Sequence, residues 1–287
     1  MVHKRLSSFI LIACVFALGF LSPVQAEGTS SVVIIQSDTW DLDEFALPDR
    51  FINILTPNPV QQRNLHLTII HRARQSFTEN AGRDYLGLDA GGLKIGIGLR
   101  YGLFDMADVG FFRINGTAES FDTYEYDLRI RLMDETTAPV TVALRPGFTW
   151  FAQPEAEDAS GFFGQLLIER TFGKHLSIAG GVLYHSESSG DRKSAGDDEE
   201  SMALHGGFSI RLRPRFSLDG EVTSTVSGYG EDDPAVSIAI RMFTYGHTFS
   251  LVVTNTQYVS ADGIVGNAWR PMDEPVIGFN ITRLFEF

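Results

Sequence analysis

The sequence predicts an all-β fold, a closed antiparallel transmembrane β-barrel of about 12 strands with short periplasmic turns and longer outer loops. Three observations predict it. Segments of alternating polar and apolar residues recur along the chain, the connections between them alternate between short and long, and the chain ends on an aromatic residue, Phe287. Each segment is about ten residues long, which is the length a tilted strand needs to cross the hydrocarbon layer.

The alternating segments give each predicted strand one apolar and one polar face. In the second segment, Leu93 to Tyr101 place an apolar residue at every other position, with Lys94 and Arg100 on the opposite face. The segment at 109–114 fits neither face clearly and is expected to carry a bulge. The predicted strands begin near Asn64, Gly92, Asp108, Asp122, Val140, Gly161, His175, Ser201, Arg215, Pro234, His247 and Pro275.

The lengths of the connections favour a membrane barrel over a soluble sandwich. Short connections are predicted at 102–107, 134–139, 173–174, 214 and 245–246. Longer ones are predicted at 76–91, 115–121, 152–160, 188–200, 227–233 and 259–274. Membrane barrels pair short periplasmic turns with long outer loops, and an even strand count leaves both termini on the periplasmic side. Alternation alone also fits a soluble barrel with its apolar face inside, but such a barrel has no reason to sort its loops.

The N-terminus predicts export. Residues 1–26 read as a signal peptide, with a basic start, an apolar stretch at 6–21 and a small-residue cleavage site ending at Ala26. The alternative is a lipoprotein box at 11–14, which would place a lipid on Cys14. Removing Lys4 and Arg5 with the signal changes the formal net charge from −13 to −15. The mature chain would then hold no cysteine, which excludes disulfides and thiolate metal sites.

Residues 27–63 lack the alternating pattern. We interpret them as a periplasmic leader or a plug folded partly into the lumen, with a disordered leader as the alternative. The strong acidity of the chain excludes nucleic acid as a partner, because a phosphate backbone needs a basic surface. Residues 64–287 are predicted to form the barrel.

Three stretches carry a resemblance to a known family. They are Gly87-Leu88-Asp89 leading into Leu93–Tyr101 and the turn 102–108, then 246–256, and then Gly278–Arg283 at the end of the chain. Over about residues 50 to 287 the chain resembles an uncharacterised bacterial outer-membrane β-barrel family that is catalogued as a domain of unknown function. The resemblance implies the fold and an outer-membrane location, and it implies no activity.

Charged residues on the polar faces are expected to line the lumen. We considered two interpretations: charge pairs that fill a narrow barrel and fix its register, or an arginine-rich constriction that selects small anions. The turn at Pro214 should bring Arg211 and Arg213 close to Asp219 or Glu221. The predicted lumen-lining residues are Arg100, Glu125, Asp127, Arg129, Arg131, Arg145, Glu169, Arg211, Arg213, Asp219, Glu221 and Arg241.

The stretch from Tyr184 to Gly190 is similar to the His-x-Ser-Asn-Gly region of outer-membrane phospholipases. On a strand, however, His185 shares a face with Glu187, while Ser186 points the other way, so a serine nucleophile would lack its base. No metal site or cofactor is expected, because the histidines are scattered over different strands without zinc-ligand spacing.

The sequence therefore predicts an outer-membrane barrel that acts as a narrow passive channel for small solutes. Two alternatives stay open: a lipid-acting hydrolase using His185, and a closed scaffold whose outer loops bind another molecule. Expected partners are outer-membrane lipid, the barrel-assembly machinery through Phe287, and small solutes. The identity of the solute does not follow from the sequence.

Overall fold

A computed structural model describes residues 49–78, 92–116, 122–152, 159–188, 200–230, 232–244 and 246–287. The predicted signal peptide, Cys14 and most of the predicted leader lie outside the described residues. The strands are β1 Leu65–Ala73, β2 Leu93–Phe104, β3 Ala107–Ile114, β4 Asp122–Met133, β5 Thr141–Ala152, β6 Ala159–Phe172, β7 Leu176–His185, β8 Ser201–Arg213, β9 Phe216–Gly228, β10 Ala235–Thr244, β11 His247–Thr254 and β12 Val276–Phe285.

These twelve strands form one closed antiparallel barrel. Each strand pairs with its neighbours in sequence, and β1 closes the barrel on β12 with Leu65 opposite Phe285. Closure satisfies the backbone N–H and C=O groups between strands and leaves no edge, which the hydrocarbon layer requires. The predicted fold class is confirmed, and each predicted strand start lies within two residues of the observed one.

The apolar faces point outward. Phe162 is 67% exposed and Leu251 is 62% exposed, whereas the neighbouring inward residue Ser250 is 4% exposed. The same alternation of exposed and buried residues runs along β2, β4 and β10. The outer surface is therefore an apolar band that suits contact with lipid acyl chains, and the polar side chains face the lumen.

The third strand departs from the expectation. Its register with β4 is regular, and the irregularity lies in β2 between Gly102 and Phe104. Two apolar residues of β3, Phe112 and Ile114, face inward because they pack on Val259, which lies inside the barrel. The mixed pattern of this strand reflects an apolar patch on the lumen wall.

Two segments from outside the strands fill the lumen. The inner segment, residues 49–60, precedes β1, and its Phe51 and Ile52 are fully buried. The outer segment, residues 255–268, joins β11 to β12 and contains the one-turn helix α1 at Ala261–Ile264. Within the described ranges, no helix is long and apolar enough to cross a membrane.

An arginine in the middle of the lipid-facing surface should destabilise the barrel. Leu251 lies on the outward face of β11, and Leu251→Arg is expected to lower the free energy of unfolding by about 2–4 kcal/mol. Leu212→Arg is the matched control, because Leu212 is similarly exposed but lies next to the short turn after β8, where the cost is about 0–1 kcal/mol. Reversible denaturant unfolding in lipid vesicles measures the free energy of unfolding of both variants. If the two variants lost the same stability, Leu251 would not lie nearer the centre of the hydrocarbon layer than Leu212.

Candidate functional site: the filled lumen

The inner segment is a tight hairpin. Arg50 and Leu55 form an isolated antiparallel β-bridge through their backbones. The Phe51 N–H donates to the Ile54 carbonyl at 2.9 Å, and the Thr56 N–H donates to the Asp49 carbonyl at 2.8 Å. Pro57 and Pro59 follow, and proline both removes an N–H donor and restricts the residue before it to an extended conformation. The chain therefore turns at the hairpin, runs on through residues 57–60, and turns again at 61–64, where Arg63 has a φ of 68° and the Asn64 N–H donates to the Gln61 carbonyl at 3.1 Å, before β1 begins.

Glu221 on β9 holds the tip of this hairpin. Its carboxylate accepts the backbone N–H groups of Ile52, Asn53 and Ile54 at 2.8–3.1 Å, and the side-chain amide of Asn53 at 2.6 Å. Successive N–H groups that converge on one anion form a backbone nest. Charge-assisted hydrogen bonds of this kind are roughly twice as strong as neutral ones, so Glu221 is a principal anchor of the segment.

Arginines and an asparagine of the wall bind the carbonyls of the same segment. Arg129 on β4 donates to the Thr56 carbonyl at 2.7 Å and to the Asp49 carbonyl at 3.3 Å. Arg241 on β10 donates to the carbonyls of residues 50 and 51. Asn280 on β12 donates to the Ile52 carbonyl at 2.8 Å. The hairpin is thus held from several sides of the barrel.

Two small apolar patches of the wall receive the aliphatic side chains of the inner segment. Ile54 and Leu55 pack on Ala143 and Leu167 of β5 and β6. Ile52 packs on Ala239 and Val252 of β10 and β11. Burying aliphatic side chains contributes about 1.5–3 kcal/mol each, so these patches hold the segment together with the polar contacts.

The start of the inner segment is tied to β1 by charge. Asp49 Oδ2 lies 3.0 Å from Nδ1 of His66. Burial alone would raise the pKa of Asp49, but His66, Arg50 and Arg129 hold that pKa well below its usual range. Asp49 therefore stays ionised and retains its partner on β1.

The outer segment enters from the long-loop end. The Ala261 N–H donates to Glu125 Oε2 at 2.7 Å, and Ala261 and Val265 pack on Phe163. Asn267 accepts the Thr225 N–H at 2.6 Å through its side-chain oxygen. Glu125 thus plays the same part for the outer segment as Glu221 plays for the inner one: each offers a carboxylate to the N–H groups of a turn.

The two segments nearly meet. A cavity of about 20 Å³ lies between them, lined by Arg50, Asn53, Glu125, His205 and Val259, among others. This volume suits a single water molecule. At that level the described residues of the two segments leave room for about one water molecule between them.

A ladder of buried ion pairs lies along the wall from β2 to β5. Asp108 binds Arg129 at 2.5 Å and Arg100 at 2.7 Å, and Asp127 binds Arg100 at 2.8 Å and Arg145 at 2.9 Å. Arg145 also pairs with Glu125. These contacts favour the interpretation that the charges are paired and fix the register, since a buried charge left without a partner is costly.

The structure buries most of the predicted lumen residues and leaves three at the rim. The buried ones are Arg100, Glu125, Asp127, Arg129, Arg145, Glu169, Asp219, Glu221 and Arg241. Arg131 and Arg211 are half-buried beside short turns, where they donate to the carbonyls of Asp105 and Pro214, and Arg213 is exposed.

The register does not place Arg211 or Arg213 directly opposite Asp219 or Glu221, because Asp219 lies opposite Ser209 and Glu221 opposite Gly207. The register places Arg211 opposite Ser217 and Arg213 opposite Phe216, next to the turn. Asp219 pairs instead with Arg241 of the adjacent strand at 2.9 Å. The position of a charge along a strand decides its partner, and both arginines lie too close to the turn.

Two important residues were missed by sequence reasoning. The sequence pattern marks Asp108 only as the start of a strand, whereas in the structure its Oδ2 also accepts the Val60 N–H at 2.6 Å. Arg72, which is fully buried, donates to Asn53 Oδ1 and to Asn280 Oδ1, both at 2.8 Å. Both residues lie at polar positions of the alternating pattern, which face the lumen, and this placement is the sequence signal that could identify them.

Among the residues that the structure describes, the contacts of His185 with Glu187 and Thr149 differ from those of a hydrolase site. Its Nδ1 accepts the Glu187 N–H at 3.0 Å, so the ring proton lies on Nε2, which is 2.9 Å from Thr149 Oγ1. Ser186 Oγ accepts the Phe162 N–H at 2.8 Å. A serine nucleophile would have to displace Thr149. The described residues contain no cluster of three or more side chains suited to a metal ion.

Comparisons with known proteins bear on the fold. The model of a family described as "Membrane bound beta barrel domain (DUF5777)" matches residues 48–285. No curated protein matches the chain. None of the three solved structures compared below is similar enough to assign a solute or an activity.

Three solved structures illustrate the similarity. The KdgM porin is 9% identical and covers 78% of this chain and 99% of its own, with a TM-score of 0.47. The NanC porin is 11% identical, with coverages of 78% and 100% and a TM-score of 0.46. The COG4313 outer membrane channel from Pseudomonas putida F1 is 14% identical, with coverages of 87% and 100% and a TM-score of 0.44.

A methyl group at Gly110 should break the ion-pair ladder. Gly110 lies on β3 between Arg100 and Asp127, and a Cβ there would lie 2.3 Å from the Arg100 guanidinium and 2.7 Å from the Asp127 carboxylate. Gly110→Ala is therefore expected to lower the free energy of unfolding by up to about 3–5 kcal/mol, because it separates a buried pair.

Gly164→Ala is the matched control, since a Cβ at this glycine of β6 meets nothing within 4 Å. Denaturant unfolding in detergent or lipid compares the two variants. If Gly110→Ala were as stable as Gly164→Ala, the ladder would not contribute to stability.

Proposed function

This chain belongs to the family of membrane-bound β-barrel domains, and from that premise we propose that it is a solute channel held closed by its own inner segment, while its outer segment narrows the lumen from the other end. Opening requires the inner segment to leave the lumen. The closed state is the one described above, in which the two segments nearly meet.

The barrel is an outer-membrane protein. A closed antiparallel barrel with an even strand count, short turns at one end, longer connections at the other and an apolar outer band is the architecture of bacterial outer-membrane barrels. The short turns then face the periplasm. The inner segment lies just before β1, whose first residue is at the same end of the barrel, so it enters from the periplasmic side.

The observation that carries the proposal is what fills the lumen. Wall side chains alone fill a barrel of about eight strands, and wider barrels leave room for a ligand, a plug or water. Here the extra room of twelve strands is taken by segments that are not part of the wall. The inner segment is held by non-covalent contacts, so its departure would leave a path lined by polar side chains.

Removing the inner segment should open the pore. In planar bilayers, the full chain is expected to stay closed with rare openings, whereas a variant lacking residues 27–60 should give discrete conductance steps. Glu221→Gln is a milder second variant, because a neutral amide replaces the carboxylate that binds the N–H groups of residues 52–54. It should raise the frequency of opening.

Arg213→Gln is the control, because Arg213 is exposed at the rim and should leave the closed state unchanged. A thiol crosslink in Ile52→Cys/Ala239→Cys, two residues of the same apolar cluster, should hold the pore closed. If correctly folded Glu221→Gln and deletion variants both stay silent over many insertions, the barrel is a closed scaffold and the channel proposal fails.

A further inference from the structure

We infer that the open lumen recognises peptide main chain, and that the solutes of the proposed channel are short peptides with aliphatic side chains. This inference rests on the proposed function. The lumen wall would bind such a peptide with the same groups that now bind the inner segment. The inner segment would then act as a built-in competitor for the solute site.

The wall offers both kinds of partner that a peptide bond needs. Glu221 accepts three successive backbone N–H groups, and Asp108 accepts a fourth from Val60. Arg129, Arg241 and Asn280 donate to backbone carbonyls. These five wall residues come from β3, β4, β9, β10 and β12. The charged wall side chains that hold the inner segment thus form hydrogen bonds mostly with its backbone N–H and C=O groups.

Simple ions would satisfy only part of this arrangement. An anion would suit the guanidiniums but not Glu221 or Asp108, and a cation would do the reverse. Amides carry an N–H donor and a C=O acceptor at every residue, and both are met here within one hairpin. An unmatched buried charge is costly, so a ligand that supplies both groups is favoured.

The apolar patches distinguish a peptide from a sugar, whose hydroxyls also donate and accept. Ala143 with Leu167 and Ala239 with Val252 form two separate patches that now hold aliphatic side chains of the inner segment. A third position is Gly207, where a Cβ would lie 3.1 Å from the Phe51 ring. Side-chain pockets placed beside main-chain hydrogen bonds are the pattern of peptide recognition.

The test uses a synthetic peptide with the sequence of residues 49–60 and the barrel that lacks residues 27–60. Fluorescence anisotropy of the labelled peptide measures binding to this barrel in detergent, independently of any conductance. Saturable binding is expected. The control peptide carries N-methyl groups on the backbone nitrogens of Ile52, Asn53 and Ile54, which keeps every side chain, including the Asn53 amide, but removes the three backbone donors to Glu221.

The control peptide should bind at least about tenfold more weakly, because each hydrogen bond to a charged group is worth about one decade or more in affinity. Glu221→Gln in the barrel should weaken binding of the unmodified peptide in the same direction. Equal binding of the two peptides would overturn the inference. So would tighter binding of maltotriose, the probe for a carbohydrate solute, in competition with the labelled peptide.

Conductance separates the two proposals. If the barrel lacking residues 27–60 conducts and the peptide blocks it, both hold. If it conducts and the peptide neither binds nor blocks, the channel stands and the peptide inference fails. If the peptide binds but the barrel never conducts, the lumen is a peptide-binding site in a closed scaffold and the channel proposal fails.

Should the deletion variant not fold, the Glu221→Gln and Arg213→Gln barrels provide the comparison. The readout is then how well the added peptide competes with the inner segment of each barrel.

Discussion

The constraint on which the rest of the structure depends is the width of a twelve-stranded cylinder. Strand closure satisfies the backbone in lipid, but it creates an interior wider than wall side chains fill. Here two chain segments occupy the surplus room, and the wall is shaped around them. Several wall residues each contact one of the two segments. Glu221 and Glu125 accept backbone N–H groups of the segments, Phe112 packs on Val259 of the outer segment, and Ala143 packs on the inner segment.

The buried charges divide into two groups with different tasks. The ladder of Arg100, Asp108, Asp127 and Arg145 binds strand to strand, and it crosses β3 only because Gly110 leaves room. Glu221, by contrast, binds the inner segment. Ladder residues are therefore part of the wall in any state of the lumen, whereas Glu221 would change partner when the segment leaves. Arg129 belongs to both groups, since it binds Asp108 and the Thr56 carbonyl.

The sequence was sufficient for the barrel and insufficient for its contents. Strand positions follow from period-two alternation, which is a local property set by lipid on one side and the lumen on the other. The segment before β1 has no such period, and its contacts are non-local: Asn53 binds a residue 168 positions away. Phe112 is an apolar residue on the inward face and so breaks the alternating pattern. Its partner Val259 lies in the outer segment, far away in the sequence. The pairing of Arg241 with Asp219 needed the register, which alternation alone leaves open.

The partners of the inner segment also constrain the order of biogenesis. They come from β3, β4, β9, β10 and β12, so their full set exists only once the first and last strands have met. Individual hairpins of a nascent barrel offer at most a fraction of them. Complete docking of residues 49–60 therefore requires a closed cylinder, and it connects strands that never touch one another.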